Sequence, residues 1–125
     1  MRQLNRRERM ELILDRDGPY CIWCSAPLDS SRNTPTSEHV VPRIKGGPSW
    51  IENEVAACKR CNNERGHQSA VGWLLECEGL GRHTRRDVLL AALERLQRAI
   101  VEKGGQQRAR PYIASQLRRL RKLMD

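Results

Sequence analysis

Apolar residues recur at helical spacing in several stretches of this chain, with short extended runs between them. Residues 4–16 place Leu4, Met10, Ile13 and Leu14 near one helical face, with Arg and Glu elsewhere, which predicts an amphipathic helix. Gly18-Pro19 ends it. Residues 25–36 are loop by composition. Residues 37–42 hold two Val and are bounded by Pro42, so they predict a strand, followed by a turn at Gly46-Gly47-Pro48. Glu54 to Ala57 predicts a second short strand leading to Cys58. A helix is expected from near Cys61 to near Gly66, and Val71, Trp73, Leu74 and Leu75 mark another short one.

Two longer helices follow. Thr84 with Asp87 resembles a capping box, with Asp in place of the usual Glu. Val88, Leu89, Ala92, Leu93, Leu96 and Ile100 then recur at helical spacing until Gly104-Gly105 stops the helix. Pro111 suits a helix first turn, and Ile113, Leu117, Leu120 and Met124 form an apolar stripe behind it. The pair predicts a helical hairpin on a short loop. Its stripes suit core packing, a dimer contact or a protein partner, and the sequence leaves these open. Arg118, Arg119, Arg121 and Lys122 fall mostly off the stripe.

Composition narrows the setting. A chain of 125 residues makes one domain, with a helical piece appended. Only 38% of it is hydrophobic and Phe is absent, so a core this small calls for a staple. Met1 to Met10 carries four Arg and no apolar run, so no secretory signal is expected. Nothing approaches the roughly 18 apolar residues of a membrane span. The expected location is therefore the cytoplasm, on the nucleoid or from a phage genome, where disulfides are rare. Five cysteines then point to metal binding before cross-linking. The net charge of +8 is unevenly spread. Residues 1–81 hold 11 basic and 11 acidic residues, whereas residues 82–125 hold 12 basic and 4 acidic. A basic segment beside a neutral one suits a polyanion partner, and equally a solvated helix face rich in Arg.

The cysteines are the first strong chemical signal. Cys21-x-x-Cys24 and Cys58-x-x-Cys61 stand 33 residues apart. Each CxxC turn delivers two thiolates to one metal, and two such turns complete a tetrahedral, closed zinc site. Such a zinc is structural and supplies folding free energy that the small core lacks. A redox dithiol is the rival reading, but it needs one CxxC rather than two. Cys77 is left over, expected as a buried or half-buried thiol near Trp73.

Between and just after the knuckles stand EHVVPRIKGGPSWIENEVAA and CKRCNNERGH. Here the chain resembles the HNH endonuclease family, whose core is a ββα-metal fold. The order of parts is similar: a Cys pair, the acid–His step Glu38-His39, the Gly46-Gly47 turn, Asn53 14 residues after His39, and Asn62 9 residues further on. The spacing also resembles the HNH domain of CRISPR effector nucleases. The resemblance spans about residues 5–75. It implies a small α+β fold with a ββα-metal core (residues 1–81), stapled by the four-cysteine zinc, plus the basic helical hairpin (residues 82–125).

The resemblance also implies a chemistry: metal-dependent hydrolysis of DNA phosphodiester bonds, leaving 5′-phosphate and 3′-hydroxyl ends. His39 is suited to act as general base, because an imidazole titrates near neutral pH. Glu38 and Asn62 offer hard oxygen ligands for a catalytic Mg²⁺ or Mn²⁺. Asn53, by resemblance, positions the loop that bears His39. Glu38 stands where the family usually has Asp or His. Its extra methylene would move the metal by about an ångström, a displacement worth about 10²-fold in rate. Arg43, Lys45, Lys59, Arg60, Asn63 and Arg65 are candidate phosphate contacts near the site, with Arg118 and Arg119 on the hairpin; each is equally readable as a solvated group. His67 reads as an extra ligand or, more simply, an exposed histidine at a helix end, and His83 has no assigned role. The partner implied is DNA, duplex rather than single-stranded. A non-catalytic zinc module of the same ancestry, gripping nucleic acid or a protein, is the alternative.

Overall fold

The computed structural model describes residues 3–125; Met1 and Arg2, at the head of the expected first domain, lie outside the described residues. The first helix, α1, spans Arg6–Asp17. It starts where Asn5 and Glu8 cap one another: the Asn5 side chain accepts from Glu8 N at 2.8 Å, and Asn5 N donates to Glu8 Oε1 at 3.0 Å. It ends at Gly18, whose φ of 90° lies in the region that favours glycine and whose N–H returns to the Leu14 carbonyl.

Two strands follow, β1 (Pro35–His39) and β2 (Glu54–Cys58). They pair antiparallel, with Ser37 opposite Ala56 and His39 opposite Glu54. Helix α2 (Lys59–Arg65) leaves β2 directly, with Cys58 as its N-cap. The β1–β2–α2 unit packs against α1. Every residue of β2 is buried, the mark of a strand covered on both faces. β1 is shorter than expected over residues 37–42. Its ladder stops at His39 because Val40 N donates to the Asn53 carbonyl at 2.8 Å and Val41 is held by the Asn53 side chain. Val40 and Val41 are therefore core residues on a loop.

Three helices complete the fold: α3 (Ala70–Gly79), α4 (Arg86–Lys103) and α5 (Ala109–Met124). The capping box expected at Thr84 does not form. α4 starts two residues later with Arg85 in the cap position and no side-chain cap, and the Thr84 hydroxyl donates to Glu78 instead. Gly104 ends α4 with φ 78°, and α5 packs back on it as a hairpin. The hairpin shares one apolar cluster with the rest of the chain: Leu89, Leu93, Leu96, Ile113, Leu117 and Leu120 lie in it with Ile13, Trp23, Val55 and Trp73. Each such side chain contributes roughly 1.5–3 kcal/mol of burial. Met124, at the end of the stripe, is exposed. α5 also satisfies the start of α3. Tyr112 Oη accepts from Ala70 N at 3.0 Å, and the buried Gln116 accepts from Val71 N at 2.8 Å. No helix among the described residues is long and apolar enough to cross a membrane.

Candidate active site

The four knuckle cysteines come together. Their sulfur atoms all lie within 4.8 Å of one another, the one such cluster of His, Cys, Asp and Glu donors among the described residues. Cys24 Sγ and Cys58 Sγ stand 3.9 Å apart, close to the roughly 3.8 Å that a tetrahedron of sulfurs at 2.3 Å from a metal requires. Backbone N–H groups point at the sulfurs, Trp23 N at Cys21 (3.4 Å) and Cys61 N at Cys58 (3.5 Å), and Arg82 Nη1 lies 3.5 Å from Cys61 Sγ. Donors aimed at sulfur stabilise thiolates. Burial, with the neighbouring Cys24 and Cys58 adding to it, pushes the Cys21 thiol up to about 12 against the N–H donors, so a metal ion is what would strip that proton at neutral pH. The donor set fits a divalent ion of zinc's softness. Cys77 lies outside the cluster. It is buried, 4.0 Å from Arg82 Nη1, whose guanidinium also stacks on Trp73.

A groove of about 250 Å³ opens at the end of β1, between that strand and α2, with Glu38, His39, Arg43, Asn62 and His67 among its walls. Alternation along β1 sends neighbouring side chains to opposite faces. Thr36 and Glu38 face α2, where they meet Asn62 and Arg65. His39 projects the other way, into the field of Glu54, Arg43 and Arg9. Its Nε2 is buried and has no hydrogen-bond partner. Burial lowers the imidazole's pKa, with Arg43 and Arg9 adding to the effect against Glu54. Burial thus favours the neutral ring, whose Nε2 has no partner within the fold.

Asn53 fixes the chain just after His39. Fully buried, it accepts from Val41 N at 2.9 Å and donates to the carbonyls of Val41 (3.0 Å) and Pro48 (2.9 Å). It grips the loop through backbone groups and leaves the His39 ring alone. Gly47 makes the grip possible, because a Cβ there would lie 1.8 Å from the Val41 carbonyl oxygen. Gly46 turns the chain with φ 88°.

Glu38 is 6% exposed. Arg65 Nη1 donates to its Oε1 at 2.9 Å, and the Trp23 indole N–H donates to Oε2. Burial raises the carboxyl's pKa, against the pull of Arg65 and Trp23. Each carboxylate oxygen keeps a further lone pair for a cation. On the α2 side, Asn62, a wall of the groove, donates from Nδ2 to Thr36 Oγ1 at 2.9 Å, a bond that does not use its Oδ1. A carboxylate, an amide oxygen and an open groove fit a hard cation that keeps several waters.

Arg65 departs from expectation. It does not face phosphate: its side chain is 2% exposed. Beyond Glu38 it donates to the carbonyls of His39 (3.0 Å), Val40 (2.8 Å) and Gln68 (3.1 Å), and it stacks on Trp23. Buried charge must be paired and hydrogen-bonded, and four of its five N–H groups are used inside the fold. Arg43 is exposed on the groove wall, with Nη2 on Ser49 Oγ at 3.0 Å, and Lys45 is exposed nearby. Lys59 and Arg60 are exposed at the cysteine end of α2, and Asn63 is exposed one residue beyond Asn62. Arg118 and Arg119 are exposed on α5, Arg119 reaching Ser69 Oγ at 3.5 Å. Much of the C-terminal positive charge is tied internally: Arg82 to Glu64, Arg86 to Glu78 and Arg121 to Glu94. His67 is an exposed wall of the groove, and His83 is exposed with its carbonyl held by Ser25. Trp23 and Thr36 were not expected at the site. An aromatic inside a CxxC turn ordinarily reads as core, and Thr36 meets Asn62 only through the packing of α2 on β1.

Residues 21–70, which carry both the cysteine cluster and the groove, match the family model described as HNH endonuclease. The chain is 33% identical over 61 residues to the CRISPR-associated endonuclease Cas9 of Corynebacterium diphtheriae, a match covering 48% of this chain and 5% of that protein. No solved structure matches.

Proposed function

We propose, taking the HNH match of residues 21–70 as premise, that the protein is a divalent-metal-dependent endonuclease that hydrolyses DNA phosphodiester bonds. One observation carries the reading: His39, whose buried Nε2 has no partner within the fold, lines the same groove as Glu38 and Asn62. His39 takes the proton of the attacking water, and the lowered pKa keeps it competent to do so. Asn53 holds it in place through the backbone of Val41. Glu38 and Asn62 hold the catalytic Mg²⁺ or Mn²⁺, which when bound polarises the phosphoryl oxygen and stabilises the departing 3′-oxygen. Cys21, Cys24, Cys58 and Cys61 hold a structural zinc, closed by four sulfurs and so without a position for substrate. Arg43 and Lys45 contact phosphates at the groove; Lys59, Arg60, Asn63, Arg118 and Arg119 extend the grip along duplex DNA. The setting is the cytoplasm, where DNA is reached.

The test is supercoiled plasmid incubated with the protein and Mg²⁺ or Mn²⁺. Nicked or linear product should form only with the added cation, and its ends should be religated by DNA ligase, as 5′-phosphate and 3′-hydroxyl ends require. Intact plasmid under all these conditions, with zinc-loaded folded protein, refutes the reading. A second reading, a non-catalytic nucleic-acid grip of HNH ancestry, draws on a specific feature: both Glu38 oxygens already hold protein donors. It expects a plasmid mobility shift without cleavage.

A further inference from the structure

The two candidate metal centres meet in one side chain. Trp23 sits between Cys21 and Cys24 in the first knuckle, and its own N–H donates to Cys21 Sγ at 3.4 Å. The turn that brings two sulfurs to one point also fixes the direction of the residue between them. That residue is fully buried, and its indole N–H reaches across to Oε2 of Glu38. The same ring carries the Arg65 guanidinium 5.4 Å from its centroid, and Arg65 holds the other Glu38 oxygen. The carboxylate is thus gripped at both oxygens by two groups that are stacked on each other. Of the other two indoles, Trp73 has a buried N–H with no partner, and Trp50 lies under Lys103. Neither touches the groove.

We propose that Trp23 is a positioning residue that couples the four-cysteine site to the catalytic groove, by orienting Glu38 for the groove's divalent cation. The proposal rests on the reading of Glu38 as a cation ligand. The metal that folds the knuckle would then set the affinity of the metal in the groove, although no ligand is shared. Groups that orient a metal's ligands typically change its affinity by 10–100-fold when removed.

The test is Trp23→Phe, which keeps an aromatic ring for Arg65 and the core but deletes the indole donor to Glu38 Oε2. Binding of Mn²⁺ is measured on the protein without DNA, by the loss of the free-ion paramagnetic resonance signal, beside zinc content and far-ultraviolet circular dichroism. Trp73→Phe, which deletes an indole N–H that bonds nothing, is the control. Expected are wild-type zinc content and helicity in both variants, Mn²⁺ binding about tenfold or more weaker in Trp23→Phe, and unchanged binding in Trp73→Phe. Mn²⁺ affinity in Trp23→Phe within twofold of wild type overturns the proposal.

If Trp23→Phe does not fold, the wild-type protein supplies the answer. In a ¹H–¹⁵N spectrum the Trp23 indole resonance should shift as Mg²⁺ is added, and the Trp73 resonance should not. Glu38→Gln should abolish that shift. A Trp23 resonance that stays fixed while Mg²⁺ saturates the groove overturns the proposal equally. Failures of the two readings separate cleanly. Plasmid cleavage with Mn²⁺ binding indifferent to Trp23→Phe leaves the nuclease and removes the coupling. A Trp23-dependent cation site in a protein that cuts nothing leaves the coupling and removes the nuclease.

Discussion

Replacing Arg65 with methionine should destabilise the protein by about 3–5 kcal/mol, the usual cost of breaking a buried ion pair by removing one partner. Methionine keeps the length and apolar stem, so the packing on Trp23 is largely retained and the donors alone are lost. Those donors serve the Glu38 carboxylate at 2.9 Å and the carbonyls of His39, Val40 and Gln68 at 3.0, 2.8 and 3.1 Å. With the Arg65 and Glu38 side chains 2% and 5% exposed, water replaces little of this, which favours the upper end of the range. Urea denaturation of zinc-loaded protein should show the midpoint falling by about 2 M, for a slope of roughly 1.5–2 kcal/mol/M.

The deficit should depend on pH. Burial already raises the Glu38 carboxyl above its ordinary value with Arg65 present, and loss of the guanidinium raises it further. A carboxyl raised in the fold contributes its stability below the unfolded value, near 4.3, and loses it as pH climbs through the folded value. The Arg65→Met deficit should therefore grow as pH rises above that unfolded value. Adding Glu38→Gln removes the stranded charge and should recover about 2 kcal/mol or more. A midpoint within about 0.3 M of wild type, or a deficit that ignores Glu38→Gln, would refute the reasoning.

Asn53→Ala strips two carbonyls and one N–H of their partners in the core; it should cost roughly 2–4 kcal/mol in urea denaturation and reduce cleavage beyond the loss of folded protein. The His39 ring, followed by proton resonance, should titrate below 6.5 because burial disfavours its charge. Its contribution to stability is then present above the unfolded value and lost as pH falls through the folded one, and a titration at or above 6.5 contradicts the burial argument. Removal of the cysteine-bound metal with a strong chelator should abolish helical circular dichroism and zinc should restore it, since structural zinc binding is worth more than the whole stability of a small domain. A metal-free protein, verified by elemental analysis, that melts as the loaded one does would show the cluster to be dispensable.

What the sequence made legible was local or strongly spaced. The two CxxC turns announce their meeting because the chemistry of four thiolates leaves few alternatives. The α4–α5 hairpin follows from apolar spacing and the Gly104-Gly105 break. What stayed hidden depends on partners distant in the chain. Arg65 reads as a surface cation because the groups that bury it, Glu38 and Trp23, lie 27 and 42 positions away. Val40 and Val41 read as strand because apolar β-branched residues favour one. The Asn53 hydrogen bonds that end the ladder cannot be seen in composition. Thr84 carries a capping signature, but Glu78 outcompetes the helix for its hydroxyl. The C-terminal charge is visible as a total, whereas its division between internal ion pairs and exposed cations such as Arg118 is a property of the packing.

The central claim is that His39 performs the proton transfer in a cation-dependent cut. Plasmid nicking by wild type and His39→Ala, at equal zinc content and saturating Mn²⁺, tests it most directly. The account expects cleavage by the wild type and a loss of about 10²-fold or more in the variant, with DNA binding retained. Equal cleavage by the two proteins would contradict it.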